Sequence, residues 1–203
     1  IAATHGALMI ADEVMTGWGR TGSLFACEQA GVSPDILCTS KGLTGGALPL
    51  AATLCSREIF AAFLSGDRAR TFFHSSSFTA NPIACAAALA NVEVWEREPV
   101  RDRIAELARL QEAHVARFRD DPRFSNVRRL GTIAALDLRA PASGYLSPVG
   151  PRLRAFFRER DLLVRPLGDV IYLMPPYCVA AADLERAYAA IDEAADAVSG
   201  AAP

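Results

Sequence analysis

One primary amine stands alone in this sequence. Of the 21 lysine and arginine side chains, the single lysine is Lys41, in DILCTSKGLTGG, between a short apolar run and a glycine-rich turn. A guanidinium stays protonated and cannot attack a carbonyl, whereas a desolvated lysine can lose its proton and do so. Taken alone, Lys41 also fits a leftover surface charge in an arginine-biased chain. Its surroundings decide. Asp12, 29 residues before Lys41, and Glu13 follow a second apolar run, ALMIA. Ligands of parallel α/β sheets bind outside the carboxyl ends of the strands, so on adjacent strands Asp12 and Lys41 could face one ligand. An amine and a carboxylate at such an edge suit pyridoxal 5′-phosphate, which needs a lysine for its Schiff base and an acid to keep its ring nitrogen protonated. Asp12 fits a turn or helix cap equally well.

The elements that must position these groups can be read from pattern. Residues 7–11, 36–38 and 51–55 are short continuous apolar runs, expected for strands of a sheet covered on both faces. Ser56 is placed to cap a helix reaching about Leu64, with Glu58 in its first turn. After a polar loop over 65–79, Asn81 at the N-cap and Pro82 at the first helical position open an alanine-rich helix to about Arg97. Pro99 marks a break. A long amphipathic helix follows, then strands over 127–130 and 133–138 about Gly131, and a Pro/Gly/Ser loop over 140–148. A helix over 151–160, two short strands over 163–165 and 170–173, and an alanine-rich helix over 181–198 complete the chain. The division predicted near residue 98 separates the end of a large α/β domain (1–98) from a small C-terminal α+β domain (99–203).

Composition bounds the possibilities. The 203 residues are 51% hydrophobic with a formal net charge of −2, which gives no electrostatic reason to expect nucleic acid or an anionic membrane as partner. No apolar stretch approaches the roughly 20 residues that span a bilayer, and no export signal is legible, so a cytoplasmic location is expected. Cys27, Cys38, Cys55, Cys85 and Cys178 form no metal-binding or disulfide pattern and are expected to act as small hydrophobes. The chain opens without methionine and meets an apolar strand almost at once, which suggests a fragment lacking N-terminal sequence.

LMIADEVMTGWGRTG, PDILCTSKGLTGG, FFHSSSFTANPIACAAALA and VRPLGDVIYLMPPY together resemble the class III, fold-type I aminotransferases, over essentially the whole chain. The resemblance implies that Lys41 holds pyridoxal 5′-phosphate and shuttles the proton of the reaction. Asp12 would pair with the pyridinium nitrogen and Val14 would pack on the ring face. HSSSFTANP would reach from one subunit into the other's site, where Ser76 and Ser77 would bind the phosphate and Ser75 would lie near the substrate, although many relatives carry Gly and Pro where Ser75 and Ser76 stand. Arg165 would grip a substrate carboxylate, Tyr172 would line the substrate site, and Arg20 would lie close by. Within the class the likeness is greatest to members that aminate 8-amino-7-oxononanoate with S-adenosylmethionine as amino donor, in biotin biosynthesis, as a homodimer with shared sites. Two alternatives stay open: another class III enzyme acting on an ω-amino acid or diamine, and an inactive truncated paralogue that keeps only fold and dimer contacts.

Overall fold

The computed structural model describes residues 1–74 and 76–199, and the chain divides into two compact units, Ile1–Arg101 and Asp102–Pro203. In the first, β1 (Ile10–Asp12), β2 (Ile36–Thr39) and β3 (Ala52–Cys55) form one sheet in that order. β1 and β2 run parallel, with Asp12 opposite Cys38. β3 runs antiparallel to β2, pairing Ile36 with Cys55 and Thr39 with Ala52. An apolar run carries no orientation, so β3 could not be distinguished from a further parallel strand by composition.

The first strand is also shorter and shifted relative to the apolar run over 7–11. It begins at Ile10 and ends on Asp12, and Leu8 and Ile10 are 61% and 62% exposed. Among the described residues β1 pairs on one edge only, and its faces are not covered as the sequence suggested, with Ile10 exposed and Ala11 half-buried.

The helices of this unit follow their local signals. In α1 (Ala26–Gln29) the N-terminal N–H groups are taken up by Glu13, a residue distant in sequence. The Ser56 hydroxyl accepts from the Ile59 N–H at the start of α2 (Arg57–Phe63). The Asn81 side chain accepts from the Ile83 and Ala84 N–H groups at 3.0 and 3.3 Å, and Pro82, which has no N–H to leave unpaired, opens α3 (Pro82–Arg97).

The second unit packs helices on an antiparallel sheet of β4 (Phe124–Leu130), β5 (Ile133–Leu138) and β6 (Val170–Leu173). α4 (Val100–Ala116) supplies Leu107 and Val115, α5 (Val149–Arg158) Leu153 and Phe157, and α6 (Ala181–Ser199) Leu184, Tyr188 and Ile191 to one core with Leu136 and Ile171 of the sheet. Within it the Tyr188 hydroxyl donates to Gln111, whose amide donates to the Thr132 carbonyl at 3.0 Å. Burial pushes the Tyr188 phenol pKa up, so it stays a neutral donor. The strand expected at 163–165 is absent: only an isolated bridge between Leu167 and Val170, closed around a turn at Gly168, precedes β6. The cysteines are less buried than expected: Cys27 and Cys38 are half-buried, and Cys55, Cys85 and Cys178 exposed.

Candidate cofactor site

Asp12 is the last residue of β1, and its register partner Cys38 lies three positions before Lys41 on the neighbouring parallel strand. Adjacent strands lie about 4.8 Å apart, so the acid and the amine leave the sheet at the same carboxyl-terminal edge. Both are exposed. Asp12 accepts one local bond, from the Val14 N–H at 3.1 Å, so the turn-cap role is real and leaves carboxylate oxygen available. Val14 is half-buried beside it.

Glu13, one residue on, has a different task. It is 3% exposed and accepts from the Thr16 hydroxyl and from the Ala26 and Cys27 N–H groups, the latter two at 3.0 and 2.7 Å. Burial alone would raise its pKa, but these bonds outweigh burial and hold the carboxyl below its ordinary value. Glu13 thus pins the loop that follows β1, while Asp12 remains exposed.

Lys41 opens a 3₁₀ turn, Lys41–Thr44, with φ +22°, an unusual backbone for a non-glycine residue. The turn is tied down on several sides. The Gly46 N–H donates to the Lys41 carbonyl at 2.9 Å, Ser40 donates to the Leu50 carbonyl at 2.7 Å, and buried Thr44 donates to the Leu48 carbonyl at 2.6 Å. Trp18 packs on Gly42, its indole N–H donating to the Thr39 hydroxyl at 3.0 Å, and Trp95 of α3 meets its ring edge-on at 5.7 Å. Asn91 of α3 reaches the same turn. The sequence reading singled out neither Trp18 nor Asn91. The glycines flanking Trp18 were a visible sign of close backbone approach; a lone Asn in an alanine-rich helix was a weaker one.

Arg20 is half-buried in the Trp18 loop. Ser76 and Ser77 lie in the exposed loop before α3. The Ser76 hydroxyl and Thr79 hydroxyl are 3.2 Å apart, and the Ser76 N–H donates to Thr79 at 2.9 Å, so Ser76 is engaged within its own turn. Ser75 lies outside the described residues.

In the second unit, Arg165 lines a cavity of about 280 Å³ together with Tyr145, Leu167 and Arg154 of α5. The Gly144 N–H donates to buried Asp169 at 3.0 Å, and Gly168 (φ +62°) approaches so closely that a Cβ there would sit 2.0 Å from the Gly144 carbonyl oxygen. Only glycine fits that contact, and it shapes one end of the cavity. Neither the Arg154 nor the Arg165 side chain has a hydrogen-bond or ion-pair partner among the described residues, and no pattern in the sequence marks Arg154. Tyr172 is half-buried on β6, opposite Ala135.

The groups at the β1–β2 edge fit pyridoxal phosphate: a primary amine on a fixed turn and an exposed carboxylate on the neighbouring strand. A family model described as aminotransferase class-III matches residues 1–195. The chain is 46% identical over 196 residues to the adenosylmethionine-8-amino-7-oxononanoate aminotransferase of Synechococcus elongatus, covering 95% of this chain and 45% of that protein. It superposes on the crystal structure of the adenosylmethionine-8-amino-7-oxononanoate aminotransferase from Methanocaldococcus jannaschii with a TM-score of 0.90 at 32% identity, over 97% of this chain and 47% of the other. An (S)-enantioselective omega-transaminase from Thermomicrobium roseum matches with a TM-score of 0.88 at 32% identity, over 97% and 45%. The chain therefore spans about half the length of the relatives it matches.

Proposed function

The chain belongs to the class III aminotransferases, a family dependent on pyridoxal phosphate, and from that we propose that its parent protein aminates 8-amino-7-oxononanoate to 7,8-diaminononanoate with S-adenosylmethionine as amino donor. The observation that carries the chemistry is the parallel pairing of β1 and β2, which brings Asp12 and Lys41 to one sheet edge. The choice of substrate leans on the 46% identity to the Synechococcus elongatus protein.

Pyridoxal phosphate, when bound, supplies an electron sink for the carbon losing its proton. The residues do the rest. Lys41 would hold the cofactor through its amine and, when that amine is free, would take the proton from the α-carbon of the amino donor. Asp12 keeps a proton on the ring nitrogen by placing a negative charge against it. Val14 packs against the ring. Ser77, with Ser76, binds the phosphate beside the N-terminus of α3, where the helix dipole favours an anion. Arg165 binds the substrate carboxylate through a two-donor fork, and Tyr172 contacts the substrate.

Residues 1–98 would then be the C-terminal part of a large cofactor-binding domain and 99–203 a small domain. A homodimer with shared sites accords with the exposed loop that carries Phe72, Phe73 and Phe78. Among the described residues no helix is long and apolar enough to cross a membrane.

The test is amino-donor choice in the full-length protein loaded with pyridoxal phosphate. S-adenosylmethionine should discharge the cofactor's visible absorbance and support formation of 7,8-diaminononanoate. Discharge by ω-amino acids or diamines, and not by S-adenosylmethionine, would shift the assignment to another branch of the family. No discharge by any amine would point to an inactive paralogue.

A further inference from the structure

We propose that Asn91, 50 residues beyond the lysine in sequence, is a positioning residue for Lys41. Its side-chain amide donates to the carbonyls of Gly42 and Leu43, at 2.9 and 3.2 Å. Those are the two peptide oxygens immediately after the lysine. The inference rests on the assignment of Lys41 as the cofactor's anchor.

The physical need for Asn91 comes from the turn itself. A four-residue 3₁₀ turn leaves carbonyls at its end without partners in the regular pattern. Gly45 and Gly46 close part of this one, donating to the carbonyls of Gly42 and Lys41 at 3.0 and 2.9 Å. The Leu43 carbonyl and the second lone pair of the Gly42 carbonyl are what Asn91 satisfies. A carboxamide carries two N–H groups on one nitrogen, enough for both oxygens. Its carbonyl oxygen lies against Gly45, where an added Cβ would come within 3.2 Å.

Geometry makes this bond matter to the amine. Lys41 sits at φ +22°, a backbone that an L-residue holds only when its surroundings enforce it. Trp18 blocks the turn on one side, against Gly42. Asn91 fastens it from α3, a helix anchored by its own Asn81 cap and Pro82 start. Without that tie the lysine could relax toward ordinary backbone angles, and its amine would move with it. Small displacements of a reacting group are costly to rate even when the protein stays folded.

The experiment uses the full-length protein and two variants. Asn91→Asp keeps the shape and replaces both N–H donors with an acceptor; Asn91→Gln keeps the amide on a longer stem. Four readouts are compared: thermal midpoint, amide exchange of the peptide spanning residues 41–46 in cofactor-free protein, borohydride-trapped pyridoxal phosphate on Lys41 by peptide mass, and steady-state kinetics. Asn91→Asp should exchange its 41–46 amides about tenfold faster and need about tenfold more pyridoxal phosphate for half-trapping. It should lower kcat with KM for the amino acceptor unchanged, and Asn91→Gln should recover part of each effect. Wild-type exchange and wild-type trapping in Asn91→Asp would overturn the proposal. So would losses that Asn91→Gln reproduces in full alongside an equal fall in thermal midpoint. If wild-type protein itself leaves Lys41 untrapped, the functional assignment fails, and the positioning role assigned to Asn91 fails with it even if the exchange difference persists.

Discussion

Trp18 lies so close to Gly42 that a Cβ at residue 42 would sit 2.5 Å from the Trp18 Cβ. The loop after Asp12 and the turn bearing Lys41 are therefore in direct contact, and a change at either is felt by both. Gly42→Ala should displace the lysine turn, with a destabilisation of about 1–3 kcal/mol for overpacking. Chemical denaturation measures the loss, and trapping of pyridoxal phosphate on Lys41 should weaken in parallel. Unaltered trapping and stability would mean the contact is slack.

Asp12→Asn separates charge from shape. The amide oxygen can still accept from the Val14 N–H, so the local turn survives. The negative charge proposed to face the ring nitrogen is lost, and kcat should fall by about 10²–10³-fold, the scale for removing one preorganised electrostatic contact. Steady-state kinetics beside a melting curve checks it: full activity in the variant would remove Asp12 from the site.

Glu13→Gln acts on stability instead. The Glu13 carboxyl has a folded-state pKa held below its unfolded value, after hydrogen bonds from Thr16, Ala26 and Cys27 overcome the effect of burial. Its stabilisation is complete above the unfolded pKa of about 4.3 and is lost as pH falls through the lower folded value. The variant should cost about 1–3 kcal/mol near neutral pH, with the gap from wild type narrowing on acidification. A gap constant from pH 7 to 3 would show that ionised Glu13 contributes nothing.

Arg165→Gln should raise KM for a carboxylate-bearing acceptor by about 10–100-fold with kcat nearly unchanged, since binding is lost and chemistry spared. An acceptor with its carboxylate esterified should no longer distinguish wild type from variant. Equal effects on both acceptors would assign Arg165 a structural role in its cavity.

How far these features were legible depended on whether their causes were local. Asn81 and Pro82 announce α3 because a cap acts within one turn, and the structure starts the helix at Pro82. The antiparallel course of β3 is set by the connection over residues 40–51, which brings the chain back beside β2 without a crossover helix, and nothing in residues 51–55 encodes that. Residues 163–165 form no strand, and Leu163 is 100% exposed, so a short apolar run there marks no sheet face. Asp12 and Glu13 look interchangeable in sequence. They separate only when the chain folds, because the N–H groups that Glu13 accepts belong to residues 13 and 14 positions later. Asn91 was the hardest to see, since its partners lie 48 and 49 residues away.

The central claim is that Lys41 is the group bonded to the cofactor. Full-length protein loaded with pyridoxal phosphate, reduced with borohydride and digested should carry the pyridoxyl mass on the peptide containing Lys41. A protein that catalyses amine transfer while bearing that mass on a different lysine, or on none, would contradict the account.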